Sequence, residues 1–291
     1  MNKRGKSIDK TFLSVDQAEE RGFLHRDYIA HCLRWSHVIK RLTKGKAYAS
    51  ARLLDVGCGR ELPLAKTLYS SRYIVEQYYG VDVGPILPSA EKVFDGHKFP
   101  LQVWEHTDVL SMELSDFNNL LVNWVTMFEV AEHVEPSHLY KMLTHIRSLC
   151  TPDAMFMCST PCWNRVDCAD NHVNEMTYEA FGAMLEQCGW SIEEHYGTFA
   201  SIRDYEHLLP VAPCASKWQE EIPRPVFDRL RAYYDTNLLS CIFAPLFPAQ
   251  SRNVLWVCRP VAKIYTRKFP KLEDCQEPWG SSTKWQEMKQ L

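Results

Sequence analysis

Leu53 to Leu62 reads LLDVGCGREL: an apolar run, an acid, two glycines around a cysteine, then a second acid. Such a run before a glycine turn reads as a buried strand, and Pro63 just after it suits a first helical turn. A strand ending in a glycine turn that opens a helix is the nucleotide-binding crossover of doubly wound sheets. The alternation repeats outward from this point. Strand-like runs occur at 51–56, 78–83, 101–106, 119–127 and 154–159, with helical patterns at Pro63–Ser70, Pro136–Cys150 and Thr177–Cys188. Further strands are expected at about 190–199 and at Asn253–Cys258. Strands alternating with helices predict an α/β fold with a parallel sheet covered on both faces. Before the sheet, Tyr28, Cys32, Trp35, Ile39 and Leu42 recur at helical spacing in an amphipathic helix over Asp27–Leu42.

The charges around the turn select the ligand. A dinucleotide would rest its pyrophosphate on the helix N-terminus, where free N–H groups favour anions. Here the position of the usual third glycine is Leu62, and Glu61 stands at the helix entrance, where it repels a pyrophosphate. S-adenosylmethionine (SAM) carries no phosphate and has two positive centres, an ammonium and a sulfonium. Asp55 is placed to hold the ammonium, directly or through water. Gly57, Cys58 and Gly59 form the loop, its glycines letting the backbone approach the methionine part closely. Asp82 ends the next strand, where a carboxylate accepts both ribose hydroxyls, with Val83 beside it. Asp108 follows the third strand and is placed to accept the adenine amine, next to the Val109 N–H. The alternative for each acid alone is a loop carboxylate that caps a helix.

LLDVGCG, GVDV, HTDV and FEVAEHVEP, in that order, resemble the motif series of class I SAM-dependent methyltransferases. EVAEHVEP is similar to the matching segment of the ubiquinone-biosynthesis O-methyltransferases and their small-molecule relatives. The resemblance spans about 50–200. It implies a Rossmann-like seven-stranded sheet in the order 3-2-1-4-5-7-6, with strand seven antiparallel and Asn253–Cys258 as that strand. It also implies that the cofactor leaves as S-adenosylhomocysteine, and that the segment after strand four passes beside the methyl group. Phe128 would then face the adenine or the methionine chain. Glu129 and His133, four apart on one helical face, are the candidates for base or acceptor positioning. The alternative is that Glu132, His133 and Glu135 merely order the helix start at Pro136.

On the acceptor side, Trp163 follows strand five, His172 precedes a helix capped at Thr177, and Tyr196 sits near the end of strand six. Each has a structural alternative, as a helix-capping or core residue. Added segments usually carry substrate specificity. Two are present: an N-terminal helical extension within 1–45, expected as a lid, and a cap-like insertion at about 200–250 with helical periodicity at Val226–Leu239. Both carry arginines and aromatics, which suit a planar or anionic acceptor or a stacked base. The catalytic domain is expected over 46–262, and 263–291 reads as an arm or strap.

Composition narrows the classes. The chain has 291 residues, 46% hydrophobic and 24% charged, ample for a core without staples. A net charge of −3 provides no global field for nucleic acid. No signal peptide or bilayer-length apolar run is visible. The eleven cysteines include no CxxC pair and several fall within predicted elements (Cys150, Cys158, Cys188, Cys258), so they read as free thiols in the cytoplasm. Cys158, Cys162, Cys168 and His172 fit no common zinc spacing, and no metal is expected. The leading expectation is methyl transfer to an oxygen or nitrogen of a small molecule. A nucleic-acid base methyltransferase is the alternative. The (Asn/Asp)-Pro-Pro-(Tyr/Phe) segment of amine methylation does not occur, and the Pro161-Cys162 pair follows strand five. A SAM-binding scaffold is a third reading.

Overall fold

The computed structural model describes residues 26–73, 75–94, 99–163, 171–209, 224–262 and 266–275. The first 25 residues of the expected N-terminal extension, Cys168 and the end of the tail lie outside them. Seven strands form one sheet: β1 (Arg52–Val56), β2 (Gln77–Val81), β3 (Leu101–Trp104), β4 (Val122–Phe128), β5 (Cys150–Pro161), β6 (Trp190–Phe199) and β7 (Asn253–Pro260). Their order is β3-β2-β1-β4-β5-β7-β6, with β7 antiparallel to both β5 and β6. The order therefore matches the expectation, and the first five strands end on one edge.

Helix α1 (Arg26–Thr43) precedes the sheet, and α2 (Pro63–Ser70), α3 (Pro136–Ser148) and α4 (Tyr178–Gln187) connect its strands. Pro63 and Pro136 each sit in a first helical turn, where the missing N–H costs nothing. Thr177 caps α4 by accepting from the Ala180 N–H. Side chains alternate across a strand, so β1 feeds two cores. Leu54 and Val56 face the cluster under α3 and α4, whereas Leu53 joins Val38 and Leu42 of α1 and Leu64, Ala65 and Leu68 of α2. Asp55 shares the Leu53 face.

The described part of the 200–250 segment is helical, with α5 (Arg224–Tyr233) and α6 (Thr236–Ile242). The single run expected over Val226–Leu239 breaks at Asp235, whose side chain caps α6 by accepting from the Asn237 N–H. These helices close over a small core of their own, with Tyr205, Phe227, Phe243 and Phe247 at its centre. The strands expected over 78–83, 101–106 and 119–127 are shorter or shifted. The acids at their ends belong to the turns, where side chains compete for backbone N–H groups. The nine cysteines among the described residues are all free thiols, eight of them buried. No described helix is long and apolar enough to cross a membrane.

Candidate functional site

The glycine turn lies where β1 leaves the sheet. Gly57 and Gly59 hold φ of +68° and +71°, a left-handed backbone that glycine adopts at little cost. A Cβ at Gly57 would overlap Val130 Cγ2, so the turn and the segment after β4 are in close contact. Leu62 takes φ +50° although it carries a side chain; that side chain is fully buried under α2. Glu61 pairs with Lys66 at 3.0 Å, which offsets its charge at the helix entrance.

Two of the acids differ sharply in environment. Asp55 is buried and accepts from Tyr78 Oη and, at 2.7 Å, from Thr126 Oγ1. Burial pushes its carboxyl up to about 6 against the pull of those hydrogen bonds, and nearby Asp82 adds to the rise. Both hydrogen bonds come from the neighbouring strands β2 and β4. Asp82 is half-buried. Its Oδ2 accepts the Gly59 N–H at 2.9 Å and its Oδ1 the Gly84 N–H at 2.7 Å. A carboxylate offers about four acceptor directions, so two are left for hydroxyls. Beside it Val83 is 74% exposed, an apolar platform at the sheet edge. Negative charge, glycine backbone and an open apolar face fit SAM, whereas a diphosphate would meet the Asp82 carboxylate.

Asp108 is engaged within the chain. One oxygen caps the turn at Val109–Ser111 through the Leu110 N–H, and the other meets His138 Nε2 at 2.7 Å. Val109 is buried, and Phe128 packs half-buried against the cluster containing Cys58 and Leu62. Burial pushes the Cys58 thiol well up, so it lines the turn as a neutral group.

The expectation that Glu129 and His133 share a helical face does not hold. Glu129 takes φ +57° and the chain then makes a short 3₁₀ turn at Ala131–His133, so the α spacing does not apply. Glu129 is fully engaged. Ser159 Oγ donates to it at 2.8 Å, Asn253 Nδ2 reaches both oxygens at 2.9 Å, and Arg34 Nη1 lies 3.3 Å away. Burial alone would raise its carboxyl, but Arg34, His31, Asn253 and Ser159 together hold it down at about 2. A group so weakly basic is a poor proton acceptor at neutral pH, and these partners hold it ionised in place. Sequence reasoning missed Arg34 and Asn253 in this role. A buried arginine in an amphipathic helix was the available signal.

His133 is half-exposed, with Nδ1 3.1 Å from the Asn171 carbonyl and its ring edge-on to His172 at 4.9 Å. His172 Nδ1 meets the Glu175 carboxylate. The structure thus brings together His133 and His172, which are far apart in sequence. Glu132 joins them: its side chain is buried, its Oε2 accepts from Thr160 at 3.3 Å, and its Oε1 lies 3.9 Å from His133 Nε2. Burial and then the Glu129 carboxylate push Glu132 well above the usual range. Trp163 is half-buried and donates its backbone N–H to the Met176 carbonyl. Tyr196 lies apart from this group, its ring against His37 of α1 and its hydroxyl on Glu194. Cys162 is buried and its thiol is pushed up, so the Pro161-Cys162 pair presents no thiolate.

A methyltransferase-domain family model matches residues 25–209. No curated protein matches the chain in sequence. Among solved structures, a SAM-dependent methyltransferase from Archaeoglobus fulgidus is 20% identical, with TM-score 0.43 over 77% of this chain and 94% of that one. The Burkholderia thailandensis 1,6-didemethyltoxoflavin-N1-methyltransferase, bound to 1,6-didemethyltoxoflavin and S-adenosylhomocysteine, is 13% identical, with TM-score 0.51 over 84% and 83%. A putative methyltransferase in complex with the Haloferax volcanii Trm112 activator is 11% identical, with TM-score 0.50 over 86% and 96%.

Proposed function

This chain belongs to the SAM-dependent methyltransferase family, with SAM as its methyl donor, and on that premise we propose that its acceptor is an oxygen or nitrogen of a small molecule. The observation that carries this reading is the state of the arginines in the cap. Arg224 and Arg231 both pair with Glu206, and Arg252 pairs with Asp204. A phosphate backbone needs unpaired cations along a track, and of the five arginines among the described residues of the cap three are already paired within the fold, leaving only Arg203 and Arg229 exposed without an ion pair. Arg34 of α1 reaches Glu129 and Asn253 at the edge where the parallel strands end, so the N-terminal helix covers part of the acceptor side. A sheet edge partly covered in this way suits a compact acceptor.

In this reading Gly57, Cys58 and Gly59 carry the methionine part and Asp82 the ribose, with Val83 under the adenine. Asp55 acts through the loop, while Asp108, Val109 and Phe128 shape the adenine side. His133 is the acceptor-side group, with His172 and Trp163 beside it, and Glu129 positions that segment. Transfer is in-line: the acceptor lone pair forms the bond to the methyl carbon as the carbon–sulfur bond breaks. The protein contributes mainly alignment. Residues 46–262 form the catalytic domain, and the buried free thiols suit a reducing compartment such as the cytoplasm.

The test is transfer of tritiated methyl from SAM to a fractionated metabolite extract and, in parallel, to total RNA and DNA. Label in the small-molecule fraction is expected. Label confined to nucleic acid would replace the proposal with the base-methyltransferase reading, and SAM binding without transfer to either would favour the scaffold.

A further inference from the structure

Helix α3 is tied to the chain after β3 at two places. His138 Nε2 meets Asp108 Oδ2 at 2.7 Å, and His145 Nε2 meets the Met112 carbonyl at 2.9 Å. Their spacing makes about two helical turns, so both histidines lie on one face of α3. We propose that His138 is a positioning residue for the cofactor, holding the Asp108 carboxylate in the orientation that reads the 6-amino group of adenine. The inference rests on the methyltransferase reading of the same site and deepens it.

The two contacts differ in kind. Carbonyl and carboxylate oxygens accept, so each Nε2 carries the hydrogen. His145 thereby holds backbone, whereas His138 ends on a side chain at the edge of the sheet. The Leu110 N–H fixes Asp108 Oδ1 at 2.9 Å while His138 fixes Oδ2, so the carboxylate is held at both oxygens. Its distance from Asp82 is also set. Thr107, the residue before it, donates its N–H to the Asp82 carbonyl at 2.9 Å, and the Asp82 N–H donates to the Trp104 carbonyl at 3.0 Å. The acid for the amine is thus joined through backbone to the acid for the ribose.

Of about four acceptor directions on Asp108, two are taken and two remain for a ligand. The side chains of Asp108 and His138 are 38% and 42% exposed, so a ligand can reach them. A carboxylate–imidazole pair this open contributes little to folding, and its consequence is orientation. Without His138 the carboxylate keeps one tether and turns about its terminal torsion, which is broad and two-fold in character. Binding must then order it, and that cost falls on the ligand that uses it. An amine at position 6 of the purine donates, which matches an acceptor. A hydrogen atom there offers nothing, and an oxo group would set acceptor against acceptor.

The experiment is titration calorimetry of the full-length protein with S-adenosylhomocysteine and with its 6-deamino analogue, in which hydrogen replaces the amine. The parent should prefer the natural ligand about tenfold or more, the effect of one hydrogen bond to a charged acceptor. His138→Ala should cut that preference to about threefold or less while binding the analogue as the parent does. His138→Gln, whose amide can place a donor near the Nε2 position, should restore most of it. His145→Ala is the structural control: it frees backbone without touching the carboxylate, so it should weaken both ligands alike. A full preference retained in His138→Ala, or equal losses for both ligands in that variant, would overturn the proposal. A parent that binds both ligands equally also sinks it, and leaves the cofactor reading standing. A parent that binds neither ligand would instead remove the premise, and this inference with it.

Discussion

Replacing Asp82 with alanine tests the cofactor site most directly. Its carboxylate already accepts two backbone N–H groups, from Gly59 and Gly84, and has two acceptor directions left for the ribose hydroxyls. Hydrogen bonds to a charged group contribute ~1.5–3 kcal/mol each. Losing both amounts to about 3 kcal/mol or more, which weakens binding about 100-fold or more. Asp82→Asn keeps one acceptor oxygen without the charge, so a loss of about tenfold is expected. Titration calorimetry with S-adenosylhomocysteine on all three proteins supplies the affinities. Urea unfolding checks that the clamp on Gly59 and Gly84 has not taken the fold with it. An alanine variant that folds and binds within about threefold of the parent would refute the ribose assignment.

Gly57→Ala forces a left-handed backbone onto alanine and drives its Cβ into Val130, so a loss of about 2–4 kcal/mol in urea unfolding is expected; Val130→Ala in the same chain should recover part of it. Asp55 has a folded pKa of about 6, raised above its unfolded value, so the folded state binds more protons between them. Stability should therefore rise by roughly 3 kcal/mol as pH falls from about 7 to below about 4. Asp55→Asn should flatten this rise, and chemical denaturation across that range decides the point, since an unaltered profile contradicts the assignment. Arg34→Met leaves the Glu129 carboxylate without its guanidinium, at a cost of about 3–5 kcal/mol. Adding Glu129→Gln should restore stability, and a double variant no more stable than Arg34→Met would show that the pair is not coupled.

The strand-and-helix order was readable because each element carries its own periodicity and punctuation. Pro63 and Pro136 begin their helices, Thr177 caps α4, and the two glycines fall in the turn at the end of β1. The Glu129–His133 pair misled because spacing along the chain implies a shared face only inside a regular helix. The left-handed residue and the tight turn that break this regularity are set by contacts with β5 and β7. Asp108 shows a similar limit, since its partner His138 comes from another element.

By itself the sequence determined the doubly wound sheet and the sign of the charge its crevice accepts, because both are written in local patterns of apolar, glycine and acidic residues. Only the tertiary structure decided which distant groups meet. Arg34 and Asn253 lie 219 positions apart and converge on Glu129, and His172 arrives beside Glu132 and His133. Packing of whole elements makes these neighbours, and no local period records it.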